Sequence, residues 1–285
     1  MNDGVDLHLH STCSDGVLAP AALVALLAPA GVRLFALTDH DTVAGLPEAE
    51  AAARGAGLQY LPGIELSAAW LGRTLHVLGL GITPASEAIG TAVAVRRTLR
   101  RARAAAIAAR LDRAGAPGTL ALERLGAIEV PTRTHFARAL AELGAARDAT
   151  AAFERWLGQG KPGYVTAEWP GLEDTVASIV AGGGTAVLAH PLRYRLSAGQ
   201  RRTMVNTFAA AGGGALEVVT GGAAAHQIET ALGLALRAGL AGSVGSDCHD
   251  PALAWHRPGR LAKLPESILP VWDRWAAAPN RALQA

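Results

Sequence analysis

Short apolar runs alternate with alanine-rich, helix-like stretches along most of the 285 residues, and this rhythm limits the possible folds. The predicted strands are residues 5–10, 34–38, 59–65, 75–81, 185–190, 215–220 and 243–246. The predicted helices between them are residues 20–29, 46–55, 172–182, 198–211 and 226–239. Alternating strands and helices indicate an α/β fold with a largely parallel sheet. The number of units favours a β/α barrel with fewer than eight strands.

One segment interrupts the alternation, because no clear strand falls between about residues 84 and 163. Residues 86–114, 134–147 and 149–159 are instead predicted to be helices. We therefore expect a discontinuous barrel formed by residues 1–84 and 164–285, with a helical insertion domain at residues 85–163.

The first predicted helix of the insertion carries a basic face. Its members are Arg96, Arg97, Arg100, Arg101 and Arg103. Charge runs on helices are usually solvated, and few aromatic residues are interleaved here to stack on bases. We interpret the face as solvent-exposed rather than as an RNA-binding stripe.

The composition is that of a compact protein, with 50% hydrophobic and 18% charged residues and a net charge of +2. This balance argues against a broad surface that coats nucleic acid, although a local basic pocket is compatible with it. Neither a signal peptide nor a membrane span is recognisable, and two cysteines cannot form a disulfide framework. The sequence thus predicts a cytoplasmic protein without a membrane partner; it leaves the oligomeric state open.

The first predicted strand, VDLHLH, contains a pair of histidines one residue apart. Alternate side chains of a strand share a face, so His8 and His10 point the same way, with Cα atoms about 7 Å apart. This arrangement suits two imidazoles that bind one metal ion. Taken alone, the pair is equally compatible with two buried structural histidines.

Further histidines and acids lie at the boundaries of the other predicted strands. The complete set of candidate ligands is His8, His10, Asp15, His40, Glu65, His76, His190, Asp247 and His249. In a β/α barrel the carboxyl ends of the strands share one rim, where active sites lie. The pattern therefore predicts a metal centre at that rim.

The types of candidate ligand restrict the chemistry of this centre. Imidazole and carboxylate without thiolate suit manganese, iron or zinc. Nine ligands are too many for one ion, so two or three divalent ions are implied. Such a centre generates hydroxide at neutral pH and stabilises charge on a phosphoryl group, which predicts metal-assisted hydrolysis.

Several motifs resemble the PHP (polymerase and histidinol phosphatase) superfamily. They are HxH followed by Asp15, then TDHDT, GIE, a later histidine, AHP and SDCH, in this order from His8 to His249. The resemblance implies a distorted (β/α)7-type barrel and a trinuclear site, with manganese as the expected metal. It also implies three ligand sets. They are His8, His10, Glu65 and Asp247; Glu65, His76 and His190; and Asp15, His40 and His249.

Within this superfamily, the segments RTHFARAL, GKPGYV and AHPLRY are similar to those of bacterial nucleoside 3′,5′-bisphosphate phosphatases and 5′-3′ exoribonucleases. Thr134 departs from the proline that is frequent in the group. The resemblance implies a phosphatase in which a metal-bound hydroxide attacks a nucleoside 3′,5′-bisphosphate. The proton donor stays open between a ligand histidine, a free acid such as Asp39, and a metal-bound water.

A second phosphate on the substrate requires a cationic anchor, and arginine binds phosphate through two parallel hydrogen bonds. The candidate substrate-binding residues are Arg133, His135, Lys161, Tyr164 and Arg193. Arg133 and His135 precede a predicted helix, where free backbone N–H groups also favour anions. Tyr164 is compatible with base stacking or with packing beneath the loop.

Four alternatives remain at this level. The same centre could act as a 5′-to-3′ exonuclease on short RNA or oligonucleotides, or as a histidinol-phosphate phosphatase. An amidohydrolase also begins with HxH on a barrel strand, but would not need Asp15, His40 and His249. A non-catalytic nucleotide-binding PHP module would lack ligands, and none of the nine positions is degenerate.

Overall fold

A seven-stranded sheet forms the centre of the molecule in the computed structural model, which describes residues 4–276. Its strands, in spatial and chain order, are β1 (Val5–Asp6), β2 (Leu34–Leu37), β3 (Gln59–Trp70), β4 (Arg73–Leu80), β5 (Thr185–Leu188), β6 (Ala215–Thr220) and β7 (Ala241–Gly245). The chain after β1 returns to β7, because Leu7 N–H donates to the Val244 carbonyl at 3.0 Å and Leu9 bridges to Cys248. The sheet is thus a nearly closed barrel, which confirms the predicted fold class.

The helices pack outside the sheet or follow one another in the segment between β4 and β5. They are α1 (Pro20–Leu27), α2 (Leu46–Ala56), α3 (Glu87–Arg113), α4 (Gly118–Leu125), α5 (Arg133–Glu142), α6 (Ala149–Ala152), α7 (Leu172–Ala181), α8 (Ala198–Ala210), α9 (Ala225–Arg237) and α10 (Asp273–Ala276). A π-helical turn at Phe153–Leu157 follows α6, and a 3₁₀ turn covers Ala254–His256. In the described part of the chain, no helix has both the length and the apolar character needed to cross a membrane.

The sheet departs from the sequence prediction at β4, which is antiparallel to both of its neighbours. Trp70 pairs with Arg73, so only Leu71 and Gly72 connect β3 to β4, and both have positive φ (44° and 70°). A two-residue turn of this kind makes a hairpin, whereas a parallel crossover needs a dozen or more residues. His76 consequently lies within β4 rather than at its start.

The first strand is also shorter than predicted, since β1 ends at Asp6 and the chain from Leu7 to His10 continues as an extended segment. This segment still buries Leu7 and Leu9 completely. Their burial fixes His8 and His10 on the opposite side, so the predicted alternation holds without a regular ladder.

Apolar side chains form two separate clusters. The larger one lies between the sheet and its surrounding helices, and the smaller one lies within the segment from Ala104 to Leu157, around Leu111, Phe136 and Leu140. The smaller cluster falls inside the predicted insertion at residues 85–163. The domain boundaries themselves stay a prediction.

The interpretation of the α3 basic face as solvated is wrong for two of its arginines. Arg96 and Arg100 are 1% and 3% exposed, and both lie against the Asp41 carboxylate. Arg100 Nε donates to Asp41 Oδ2 at 2.6 Å, and Arg96 Nε donates to the Ser67 carbonyl at 2.7 Å. These contacts attach α3 to the loop after β2 and to β3. Arg101, which points away, is exposed.

Candidate metal centre

All nine candidate ligands meet at the barrel rim. His8 and His10 follow β1, His40 follows β2, and His190 follows β5. Asp247 and His249 follow β7, whereas Glu65 and His76 belong to the paired strands β3 and β4. Imidazole rings in stacked, tilted or edge-on pairs, with centroids 4.0–5.8 Å apart, connect the histidines across the site. The loops that end the parallel strands therefore bring distant parts of the sequence into one cluster.

Glu65 occupies the middle of this cluster and is wholly buried. Five imidazole nitrogens lie 2.8–3.3 Å from its carboxylate oxygens. They belong to His8, His10, His40, His76 and His190. A carboxylate shared by so many donors is placed to bridge more than one cation.

The other two carboxylates lie on either side of Glu65. Asp247 Oδ1 is 3.3 Å from His8 Nε2 and 3.2 Å from His10 Nε2. Asp15 Oδ1 is 3.2 Å from His249 Nε2 and 3.9 Å from His40 Nε2. The structure thus brings together the members of each of the three ligand sets that the family resemblance implies.

Orphaned polar atoms indicate that these side chains fit divalent cations. Glu65 Oε2, His40 Nδ1, His76 Nδ1 and Asp15 Oδ1 are buried without a hydrogen bond from residues 4–276. His40 Nδ1 and Glu65 Oε2 are only 2.8 Å apart, yet lack hydrogen-bond geometry. Buried polar atoms are otherwise nearly always satisfied. Ligand atoms of His10, Asp15, His40 and His249 lie within 4.8 Å of one another, as do two further groups around Glu65.

The electrostatics of the cluster also favour cations. Burial alone would raise the pKa of Glu65, but the neighbouring imidazoles hold this pKa well below its usual range. The pKa values of Asp15 and Asp247 are lowered in the same way, against burial, by their histidine neighbours. Three ionised carboxylates in a buried site require positive charge, which protons on the imidazoles or divalent metal ions supply.

His40 and His10 differ in protonation behaviour, although burial opposes protonation of both. Burial lowers the pKa of His40 to about 4, despite the carboxylates of Glu65 and Asp15. Burial also opposes protonation of His10, but hydrogen bonds to Asp247 and Glu65 outweigh it and raise the pKa to about 10. Imidazole must be neutral to bind a metal, so metal ions compete with protons at His10.

Glu217 supports the cluster from behind and was missed by the sequence analysis. One of its oxygens lies 2.9 Å from His8 Nδ1, and the other accepts a 2.6 Å hydrogen bond from the His190 backbone. A carboxylate on one imidazole nitrogen orients the ring and makes the other nitrogen a better metal ligand. The available signal was an acid in the middle of an apolar strand, ALEVVT.

Asp39, suggested as a free acid for proton donation, is instead fully engaged. Its oxygens accept hydrogen bonds from Ser11 N–H at 2.7 Å, Ser11 Oγ at 2.6 Å and Ser14 Oγ at 2.6 Å. Ser14 Oγ is also 3.4 Å from His10 Nδ1. Asp39 therefore holds the loop that precedes Asp15.

Backbone strain is concentrated at this rim. Four residues other than glycine have positive φ in the described chain, and three of them, Asp41, His190 and Asp247, belong to the site or adjoin it. Such conformations cost of order 1–3 kcal/mol each and persist where surrounding contacts enforce them. Hydrogen bonds from Ser67 N–H to Asp41 at 2.7 Å and from His190 N–H to Glu217 at 2.6 Å supply that enforcement.

The first turn of α5 brings two candidate substrate-binding residues close to the Asp15 loop. Arg138 of the same helix donates to the Asp15 carbonyl at 2.8 Å. His135 Nδ1 accepts from Thr132 N–H at 3.1 Å as part of a capping box, and burial lowers the pKa of His135. Arg133 lies over the rings of Phe153 and Tyr164, at 5.1 and 5.5 Å.

The remaining candidates differ in their surroundings. Tyr164 is half-buried and its ring contacts Arg133, whereas the side chain of Lys161, three residues earlier, is exposed. Arg193 donates to Asp247 Oδ2 and to the Gly221 carbonyl, so it lies beside the Asp247 part of the cluster. The structure thus places Arg133, His135 and Tyr164 together and Arg193 beside Asp247. Lys161 joins the first group only through its backbone carbonyl, which accepts from Tyr164 N–H at 3.0 Å.

Asp6 lies on β1, behind the cluster, and it is completely buried. The effect of this burial on its pKa can be tested through the stability of the protein. Burial raises the pKa of Asp6 to about 7, against hydrogen bonds from Ser246 and His8. The folded chain therefore retains a proton that the unfolded chain releases above about pH 4, so stability falls as pH rises from about 4 to about 7. The full effect is roughly 4 kcal/mol.

The variant Asp6→Asn is expected to remove this pH dependence, because the amide oxygen still accepts from Ser246 N–H. Urea unfolding from pH 4 to pH 8 measures the free energy of unfolding of both proteins. At pH 4 the two free energies should be the same, and as the pH rises that of the variant should increase relative to that of the native chain. A difference that does not vary with pH would contradict the raised pKa.

A nearly closed seven-stranded barrel with an acid–imidazole cluster at its rim defines a metal-dependent hydrolase fold. The chain belongs to the PHP family, whose PHP domain model matches residues 6–117. A 5′-3′ exoribonuclease from Haemophilus influenzae is 38% identical over 275 residues, which cover 96% of this chain and 100% of the relative. This relationship extends over almost the whole chain, including the segment between β4 and β5.

Two further relatives come from Chromobacterium violaceum. A 3′,5′-nucleoside bisphosphate phosphatase is 40% identical over 273 residues, covering 94% of this chain and 95% of the relative. A solved structure, described as an amidohydrolase with bound sulfate and no metal, superimposes with a TM-score of 0.90 at 39% identity and covers 96% of both chains. The family and its hydrolase character confirm the resemblance inferred from the motifs, and this chain is a hydrolase.

Proposed function

We propose that the protein is a metal-dependent phosphatase that removes one phosphate from nucleoside 3′,5′-bisphosphates. The observation that carries this proposal is a pair of partly buried arginines, Arg103 and Arg133, near the acid–imidazole cluster. Arg103 and Arg133 form no ion pair with a carboxylate anywhere in residues 4–276. Their described hydrogen bonds go to the carbonyls of Val165 and Leu157, which are neutral. Partly buried cations are stabilised by a counter-charge. A substrate phosphate that remains uncleaved would supply it.

The surroundings of these arginines support an anion site. Burial, together with the nearby guanidinium groups of Arg133 and Arg100, lowers the pKa of Arg103 to about 9. Burial and the charge of Arg100 likewise lower the pKa of Arg133, while Tyr164 and Asp15 act in the opposite direction. Mutual repulsion of this kind is relieved when a phosphate dianion binds between the positive groups.

In the proposed metal centre, three divalent ions, with manganese preferred, are held by the three ligand sets. The first set is His8, His10, Glu65 and Asp247; the second is Glu65, His76 and His190; the third is Asp15, His40 and His249. Bound divalent ions would polarise the phosphoryl oxygens and acidify a water molecule. The short contacts around Glu65 support its role as the bridging ligand.

The protein's own groups orient the substrate in this proposal. Arg133 and Arg103 bind the phosphate that is retained, and the capping box of α5 fixes the first turn that carries Arg133. Glu217 and Asp39 keep His8 and the Asp15 loop in place, so that the ligands need little rearrangement. Preorganised charge is more effective than charge that must be assembled during the reaction.

Exonucleolytic cleavage of short RNA from the 5′ end is the second candidate. The relative from Haemophilus influenzae carries that name and matches 96% of this chain. The same centre would then act on a phosphodiester, and the arginine pair would bind the phosphate next to the cleaved bond.

The decisive experiment compares phosphate or nucleotide release by manganese-loaded protein from four substrates: adenosine 3′,5′-bisphosphate, AMP, histidinol phosphate and a 5′-phosphorylated RNA dinucleotide. We expect the bisphosphate to be turned over best. Efficient nucleotide release from the dinucleotide with little bisphosphate turnover would favour the exonuclease. No release from any of them, with metal bound, would overturn both proposals.

Replacement of Arg133 by alanine tests the anchor. We expect kcat/KM for the bisphosphate to fall roughly 30- to 150-fold, corresponding to about 2–3 kcal/mol for a lost charge-assisted contact, while AMP turnover is unchanged. Arg155→Ala is the matched control, because Arg155 also lies over an aromatic ring, Trp156, but is exposed. An Arg133→Ala protein that kept its preference for bisphosphate over AMP would remove Arg133 from this role.

A further inference from the structure

Trp255 presents an exposed indole next to the candidate metal centre. Its side chain is 57% exposed, and it is the one tryptophan among the exposed large hydrophobic residues of the described chain. It lies in the 3₁₀ turn Ala254–His256, six residues after His249. Tryptophan usually buries most of its large apolar surface, so an exposed indole at a site rim suggests a missing partner.

The imidazole of His256 lies between the candidate metal centre and this indole. The ring of His256 has its centroid 6.0 Å from that of His249 and 6.1 Å from that of Trp255. The indole is thus at most about 12 Å from the His249 ring by these two distances. A nucleotide whose phosphate binds at the centre can place its base at the indole.

The backbone of Trp255 is held firmly although its ring is exposed. A Cβ atom at Gly222 would come within 2.9 Å of the Trp255 Cβ, and one at Gly221 within 2.5 Å of the Trp255 carbonyl oxygen. Only glycine allows this close approach of two loops. His256 N–H also donates to the Leu253 carbonyl at 3.0 Å. A ring carried on a fixed backbone loses little entropy on stacking.

The same glycine turn borders an open cavity of about 150 Å³. The polar residues of its lining are His190, Arg193, Glu217, Thr220 and Gln227, and the apolar ones include Leu192, Val218 and Ala231. Such a mixture suits a flat ring with polar edges. The cavity lies beside the glycine turn that supports Trp255, although Trp255 itself does not line it.

Other aromatic side chains near the proposed phosphate anchor are less accessible. Tyr164 has Arg133 over its ring, and Trp169 is 5% exposed with Arg100 and Arg103 over it. Trp156 has Arg155 over its ring at 4.6 Å. Within residues 4–276, Trp255 is the tryptophan whose side chain is mostly exposed near the candidate metal centre.

We propose that Trp255 stacks on the nucleobase of the substrate and gives the site its preference for nucleotides over other phosphate esters. This inference rests on the proposed function, since it assumes a nucleotide substrate. Stacking does not discriminate strongly between bases, because every base has a π face. The site is therefore expected to accept all four bases with similar efficiency.

The test compares adenosine 3′,5′-bisphosphate with ribose 3,5-bisphosphate, which lacks the base. In Trp255→Ala, kcat/KM for the adenosine compound is expected to fall about 5- to 150-fold, mainly through KM, while the abasic compound is unaffected. Trp255→Phe should restore most of the loss. Leu269→Ala is the control, because Leu269 is also exposed (76%) but lies beside the opposite end of β7. It should leave kcat/KM for both substrates unchanged.

An equal loss on both substrates, or no loss on either, would overturn the inference about Trp255. A binding measurement separates this result from failure of the proposed function. AMP should quench tryptophan fluorescence in the native protein and do so much less in Trp255→Phe. If no nucleotide were turned over, the proposed function would fail, and quenching that persisted in Trp255→Phe would independently exclude stacking.

Discussion

Glu65→Gln is expected to lose most of its metal and its phosphohydrolase activity. The substitution keeps the size of the side chain but removes the negative charge that five imidazoles surround. In the proposed centre this carboxylate bridges two ions, so both sites lose affinity together. Loss of metal removes several kcal/mol of transition-state stabilisation, and kcat/KM should fall on the order of 10³-fold or more.

Three measurements test this expectation. Elemental analysis of the purified variant should show less manganese per chain than in the native protein. Added manganese should raise the Tm of the native chain through binding to the folded state, and should raise that of Glu65→Gln much less. Glu229→Gln, an exposed change on α9, is the control. A Glu65→Gln protein with normal metal content and normal activity would refute the bridging role.

Among the proposed variants, Arg100→Met is expected to show the largest decrease in the free energy of unfolding. Arg100 is 3% exposed and contacts Asp41 at 2.6 Å, Ser67 Oγ at 3.1 Å and the Trp169 ring at 5.4 Å. Methionine fills part of the space but leaves the Asp41 charge with Arg96 as its remaining cation, at 3.5 Å. Breaking a buried ion pair by removing one partner costs about 3–5 kcal/mol.

The matched control for this change is on the same helix. Arg101→Met makes an identical chemical replacement at an exposed position, where the effect should stay within about 0.5 kcal/mol. Urea unfolding of the two variants measures the difference directly. Because Asp41 follows His40, metal content of Arg100→Met is expected to fall as well. Equal stabilities for the two variants would show that the Asp41 contact contributes little to folding.

The relation of α3 to the barrel explains why this prediction could not come from the sequence. A run of arginines on an alanine-rich helix is typical of a solvated face, and Arg101 follows that rule. Arg96 and Arg100 do not, because they have partners inside the molecule. Arg100 contacts Asp41, 59 residues away, and Arg96 contacts Ser67, 29 residues away. A helical period identifies which residues share a face, but not what the face meets.

The residues behind the ligands escaped the sequence analysis for a similar reason. Glu217 and Asp39 are 0% and 1% exposed, and each has a hydrogen-bond role defined by groups far away in the chain. Acids buried in apolar segments are a signal that such partners exist. Which histidine or serine they contact depends on how β6 and the loop after β2 are placed in the barrel.

The sequence by itself determined the α/β class, the family and the rim on which the candidate ligands lie. Strand periodicity and the positions of polar residues at strand ends are local properties, so they are readable without coordinates. The antiparallel β4, the convergence of five imidazoles on Glu65, the buried arginines and the exposed Trp255 were decided by the tertiary structure. They depend on distances between segments far apart in the chain, and only closure of the barrel fixes those distances.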